Sequence, residues 1–133
     1  MMRGRRYDVP PALVVLRIAC GVFFIPHILF KLGNLAGATA FFAKAGIPYP
    51  DLFVYVAIAL ESLAALGLII GVQVRRAALL GVTTLCAAAV ATWLTSNTVW
   101  LWNQGGAEYP IFWALACVVV AIQYRPLPRN FFY

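Results

Sequence analysis

Four apolar segments, residues 11–32, 52–72, 77–95 and 109–123, constrain this chain more than anything else in it. A helix needs about 20 consecutive apolar residues to cross the hydrocarbon of a bilayer, and runs of this kind do not build a soluble, one-sided amphipathic core. Of the 133 residues, 64% are hydrophobic and 11% are charged, with a mean hydropathy of +0.89, where a soluble domain carries roughly 25% charged residues. The chain is therefore expected to be one integral membrane domain over residues 1–133. It has no room for a separate soluble catalytic unit.

Each segment is bounded by residues that start or stop helices. Pro10 and Pro11 suit a first helical turn, Gly33 and Asn34 with Gly46, Pro48 and Pro50 mark a loop, and Gly71 before Arg75 and Arg76 marks a tight turn. Gly105 and Gly106 precede the last segment, and Pro126 and Pro128 end it. The apolar stretch 35–49, with AFFAKAG at its centre, is too short to cross and is expected to be a short helix at the interface. Small residues recur on one side of the third segment at Ala77, Gly81, Thr84, Ala88, Ala91 and Thr95, and in the second at Ala57, Ala64, Ala65 and Gly71. Seams of this type let helix backbones approach closely in lipid. The fold class expected is all-α: an integral membrane four-helix bundle in up-down-up-down order.

The net charge of +6 is accounted for by topology. Arg3, Arg5, Arg6, Arg75, Arg76, Arg125 and Arg129 fall on one side of such a bundle, while the other side has Lys44 and the helix-end Lys31. The positive-inside rule then places both termini in the cytoplasm, and no nucleic acid is needed to explain the charge. Aromatic belts agree, with Tyr49, Phe53, Tyr55, Trp93, Trp100, Trp102, Tyr109, Phe112 and Trp113 toward the outer boundary and Tyr7, Tyr124, Phe131, Phe132 and Tyr133 at the inner one. The basic start followed by an apolar run resembles a signal peptide with AGATA as its cleavage site. Residues 11–32 are too long and too charged for a signal core, so the first helix is expected to stay in the mature protein.

Charges inside the apolar segments are the candidates for function. At 100° per residue Arg17, Gly21, Phe24, His27 and Lys31 share a face of the first segment, and Glu61 stands near the middle of the second. An unpaired charge at mid-membrane costs about 2.5–3.5 kcal/mol on insertion scales, so these groups must be paired, neutral or hydrated. Aligning segment midpoints at 1.5 Å per residue suggests an Arg17–Glu61 ion pair, and gives Glu108, at the outer start of the fourth segment, the depth to meet Lys31. One such pair would serve as a register device. Two acids and three bases running toward the outer mouth point instead to a polar intramembrane site of Arg17, His27, Lys31, Glu61 and Glu108.

Metal and haem chemistry find little here. A single histidine builds neither a multi-His metal site nor a bis-histidine haem, and Cys20, Cys86 and Cys117 lie in three separate segments without a CxxC, as small apolar residues do. No cofactor signature is written in the sequence.

The chain resembles the DoxX family of small four-span bacterial membrane proteins over roughly residues 13–123. The resemblance rests on LRIACGVFFIPHILFK with Arg17, Gly21, His27 and Lys31, on FFAKAGIPYP, on LESLAALGLIIGVQVRRAALLG with Glu61, Gly71 and Arg76, and on NQGGAEY with Gly105, Gly106, Glu108 and Tyr109. It adds Arg76 and Tyr109 as secondary site candidates. Where the family usually has glycine after its histidine, this chain has Ile28, with Pro26 before His27 and placed to kink the helix.

The resemblance implies a multi-pass protein of the bacterial cytoplasmic (inner) membrane with a link to redox chemistry, since relatives include membrane subunits of thiosulfate:quinone oxidoreductases. Two readings follow. In the first the chain interacts with a quinone, as a subunit or partner of a membrane oxidoreductase; His27 and Lys31 donate to the quinone oxygens, Glu61 with Arg17 carries protons, and electrons come from a partner, because no self-contained catalytic motif is present. In the second it is a non-catalytic anchor or assembly subunit whose charged face docks another subunit. A transporter is disfavoured by the lack of inverted repeats.

Overall fold

The computed structural model describes residues 9–125 and contains no strand among them. Arg3, Arg5, Arg6, Tyr7, Pro126, Pro128, Arg129, Phe131, Phe132 and Tyr133, which enter the expected topology and belts, lie outside the described residues. Helix α1 spans Pro11–Val22 and α2 spans Phe24–Gly33. They occupy the first apolar segment, and together are long and apolar enough to cross a membrane. The interruption at Phe23 has a local cause. Pro26 has no N–H to give the carbonyl of Val22, four residues back, and its ring crowds that carbonyl, so the ladder breaks one turn before the proline.

Helix α3 spans Leu35–Lys44, the short segment expected at the interface. It starts directly after α2 because Asn34 caps it, its side-chain oxygen accepting from the Gly37 N–H at 3.0 Å. Helices α4, Pro50–Ile70, and α5, Val74–Thr95, are the other two long enough to span. They are joined by a turn in which Gly71 (φ 85°) is left-handed and its N–H, like that of Val72, donates to the Gly67 carbonyl. Helix α6, Glu108–Gln123, is apolar but only 16 residues long. That length reaches about 24 Å, somewhat less than the hydrocarbon thickness. A single 3-10 turn, Trp102–Gln104, precedes it.

Packing follows the small residues. An added Cβ at Gly67 would lie 2.5 Å from that of Ala77, which shows how tightly α5 starts against the end of α4. One at Gly21 would lie 2.9 Å from both Leu68 and Ile69, so α1 rides directly on α4. Neighbours pair in opposite chain directions: Arg17 against Gly71, Gly21 against Leu68 and Lys31 against Glu61. Across the other side, Cys20 and Phe24 meet Trp113, and His27 meets Tyr109. The core therefore sits where α1, α4, α5 and α6 come together, around Phe24, Leu68, Leu85, Trp113 and Cys117.

Above that core the bundle opens. Helix α1 packs on both α4 and α6, whereas α2, past the Pro26 break, packs on α4 and α3. Helix α3 then reaches from α4 across to α5. The kink thus draws one wall of the bundle aside while α3 roofs the gap. The small seam of α5, Thr84, Ala88 and Ala91, does not refill it.

Candidate functional site

The space left by the kink is a cavity of about 530 Å³, within the size range of small-molecule sites. Phe24 and Trp113, with ring centroids 4.4 Å apart, form its floor against the core. Phe41, Phe42 and Ile47 come from α3 and the turn after it. The remaining wall is mostly apolar, with Phe30 and Phe53 among its aliphatic residues, three threonines from α5, one charged pair and the aromatic edge of His27 and Tyr109.

The charged pair is Lys31 with Glu61. The Lys31 ammonium donates to both carboxylate oxygens of Glu61, at 2.9 and 2.8 Å, and its side chain is 16% exposed against 10% for that of Glu61. Lys31 also approaches the His27 carbonyl at 3.4 Å. The paired charges cancel at long range but leave polar atoms at the cavity wall, so the site suits a neutral molecule with hydrogen-bonding oxygens better than an ion. His27 lies one turn before Lys31, and its ring stacks on Tyr109 at 6.4 Å and tilts against Trp113 at 5.3 Å. Three aromatic faces and the Phe24 ring offer a surface for a flat ring.

Several wall residues face outward. Phe30, Phe53, Thr83 and Ala87 line the cavity and are exposed on the outer surface of the helices. The mouth between α2 and α5 therefore opens sideways, toward lipid in a membrane. The hydroxyls there are already committed, Thr83 to the Leu79 carbonyl and Thr84 to that of Gly81.

Of the residues singled out from the sequence, His27, Lys31, Glu61 and Tyr109 converge on this cavity. The expected Arg17–Glu61 pair does not form: Lys31 holds Glu61, and the Arg17 guanidinium lies over Gly71. Gly71 is ten residues from Glu61, about 15 Å along the helix. Midpoint alignment failed because the first segment is displaced along α4, which brings its outer end, not its inner third, level with Glu61. The buried Nε of Arg17 has no hydrogen-bond partner among the described residues. Glu108 does not meet Lys31 either. Its carboxylate accepts from the Trp102 N–H at 3.2 Å while its own N–H donates to the Trp100 carbonyl, so it ties down the loop ahead of α6. Arg76 is exposed near the start of α5, outside the cavity lining.

The contribution of α3 was missed. Residues 35–49 read only as a short interfacial helix with no part in the site, and the α2–α3 corner at Asn34 folds Phe41 and Phe42 back over the gap. Cys20 and Cys117, from separate segments, both lie in the core cluster, whereas Cys86 is exposed. No cluster of three or more His, Cys, Asp and Glu that could hold a metal ion occurs among the described residues.

The DoxX family model matches residues 12–94, from α1 to the end of α5, which includes every wall of the cavity except α6. No curated protein and no solved structure matches the chain.

Proposed function

The chain belongs to the DoxX family, and from that premise we propose that it is a redox-linked membrane protein that binds a quinone, as a subunit or partner of a membrane oxidoreductase complex. The observation that carries this reading is the cavity: apolar and aromatic, open sideways to lipid, with Lys31, Glu61 and His27 as its polar wall. A quinone headgroup is flat, neutral and ends in two oxygens that accept hydrogen bonds, and its tail belongs in the bilayer. The headgroup stacks among Tyr109, Trp113 and His27, with Lys31 or His27 donating to a carbonyl oxygen, and the tail leaves between α2 and α5.

Reduction of a quinone consumes two protons, and the Lys31–Glu61 pair and His27 are the groups at hand to relay them. Arg17 has no part in that relay, since it stands at the other end of α4. Electrons come from a partner protein.

The placement that accompanies this reading is four crossings, up-down-up-down, with both termini on the cytoplasmic side of a bacterial inner membrane. It is supported by Arg75 and Arg76 at the start of α5 and Arg125 after α6, at the end of the bundle remote from Lys44.

The test is purification in mild detergent from native membrane, followed by quinone extraction and identification of co-purifying polypeptides. The expected result is a bound quinone whose occupancy falls in His27→Ala and Lys31→Met. If no quinone is extracted and His27→Ala leaves quinone-linked turnover of the host membranes unchanged, the reading is wrong. A stoichiometric partner without quinone would make the chain an anchor subunit.

A further inference from the structure

Arg17 stands apart from the cavity, and no carboxylate among the described residues lies within its reach. It is six residues into α1, about 9 Å along the axis from Pro11, part-buried, and its Nε meets no partner among the described residues. Side chains on a helix lean toward its N-terminus, so this one runs back toward the start of α1. It ends over the turn between α4 and α5. A Cβ added at Gly71 would lie 3.1 Å from Arg17 Cζ and 3.4 Å from Nη2, and closer still to Nη1, so the guanidinium fills the space that a side chain would take there.

The described acids are all remote from that turn. Glu61 is ten residues back along α4 and is held by Lys31, Asp51 is in the first turn of the same helix, and Glu108 opens α6 and accepts from the Trp102 N–H. Each lies about 15 Å or more along the bundle from Gly71. The C-terminal dipole of α4 attracts the guanidinium but supplies only roughly half an elementary charge.

More arginines gather at the same end. Arg75 and Arg76 are exposed in the first turn of α5, four and five residues after Gly71, a stretch of chain that spans at most about 14–18 Å. Taken alone they would be the basic fringe of a membrane span. Arg17 gives that fringe a floor inside the bundle.

We propose that Arg17, Arg75 and Arg76 bind the phosphate of an acidic phospholipid in the leaflet at this end of the bundle. A guanidinium is a planar fork that matches two phosphate oxygens, and basic pockets between membrane helices take acidic headgroups in this way. Val15 and Ile18 of α1, with Ile70 and Val72 at the end of α4, are exposed at the same level and offer apolar surface to the acyl chains, which favours a lipid over a free phosphate. Both cations of the first segment are then neutralised, Lys31 by a carboxylate of the chain and Arg17 by a phosphate of the bilayer. The site is independent of the quinone reading.

The experiment uses the full chain, delipidated in mild detergent and mixed with equal amounts of phosphatidylglycerol and phosphatidylcholine of the same acyl chains, with retained lipid read by native mass spectrometry. The expected result is a preference for phosphatidylglycerol of about a hundredfold, to which each of the three arginines contributes about fivefold. Arg17→Met and Arg76→Gln should each lower it by that factor, and Arg17→Lys, which keeps the charge without the fork, by less. Because Arg76 is exposed, its variant tests the site even where Arg17→Met does not fold. Equal retention of the two lipids, or a preference unchanged in Arg76→Gln and in whichever Arg17 variant folds, overturns the proposal. So does displacement of the lipid by inorganic phosphate at comparable concentration, which would assign the site to a free anion. Asp8, outside the described residues, is checked in Asp8→Asn: the preference should be unaltered, and one that appears only in this variant would show that Asp8 holds Arg17 and that no lipid does.

Discussion

Replacing Lys31 by methionine leaves Glu61, 7% exposed, without the two hydrogen bonds of 2.9 and 2.8 Å that now hold its carboxylate. Breaking a buried ion pair from one side costs about 3–5 kcal/mol, because the survivor keeps its charge and loses its compensation. Here both side chains keep some access to the cavity, 16% and 10%, and residual hydration lowers the expected penalty to about 2–3 kcal/mol. Glu61→Gln strands the ammonium instead; Lys31 sits in the last turn of α2 and can turn its long stem toward the interface, so about 2 kcal/mol is expected. The double variant K31M/E61Q removes both charges and should cost no more than either single change. That gives a coupling energy of about 2 kcal/mol in a double-mutant cycle. Equilibrium unfolding in mixed micelles, followed by tryptophan fluorescence, measures it. Arg17→Met serves as the reference, since Arg17 is not in contact with Glu61 and its coupling to Glu61→Gln should be near zero. Additive effects for Lys31 and Glu61, or a larger coupling for Arg17, would refute the assigned register of α2 on α4.

The remaining expectations concern packing. Gly21→Ala puts a methyl group 2.9 Å from Leu68 and Ile69 and 3.1 Å from the Ala65 carbonyl, so α1 must lift off α4, at about 1–3 kcal/mol by the same unfolding assay; an unchanged midpoint would mean that the helices are not in close contact. Gly106→Ala would drive a Cβ into the backbone of Trp100 and to 2.6 Å from the Leu101 carbonyl. The loop that Glu108 anchors must then open, and faster amide exchange at the Trp102 N–H, with helix α5 unaffected, is the expected result. Trp113→Phe keeps the ring against Phe24 but loses the hydrogen bond to the Cys20 carbonyl, for about 0.5–1.5 kcal/mol of stability. A loss as large as that expected for Gly21→Ala would show that the ring packing, not the hydrogen bond, had been disturbed.

Hydrophobic runs and their punctuation were enough to place the elements along the chain. Pro11, Pro50, Gly71 and the Gly105–Gly106 pair stop or start helices for local reasons of backbone chemistry, and the observed ends fall within a few residues of those expected. The Pro26 break was also readable, since it follows from a missing N–H. That His27, Lys31 and Glu61 would lie near one another was readable too, because charges in apolar segments must find partners.

Which charge finds which was decided by tertiary structure alone. Period and depth place a residue on its own helix but carry no information on how far one helix slides along another, and that sliding is set by close contacts such as Gly21 on Leu68 and Gly67 on Ala77. A slide on the order of ten residues, about 15 Å along α4, separates the observed register, with Lys31 on Glu61 and Arg17 over Gly71, from one that would pair Arg17 with Glu61. The cavity is likewise a property of the assembly: it exists because Pro26 lets α2 part from α1's line of packing and the Asn34 cap turns α3 over the gap. The hydrogen bond from Trp113 to the Cys20 carbonyl, 93 residues apart in the numbering, depends on the packing of α1 against α6. Local chemistry determined the helices and the need for their charges to pair; the register between helices, which only packing resolves, determined the partners and the space between them.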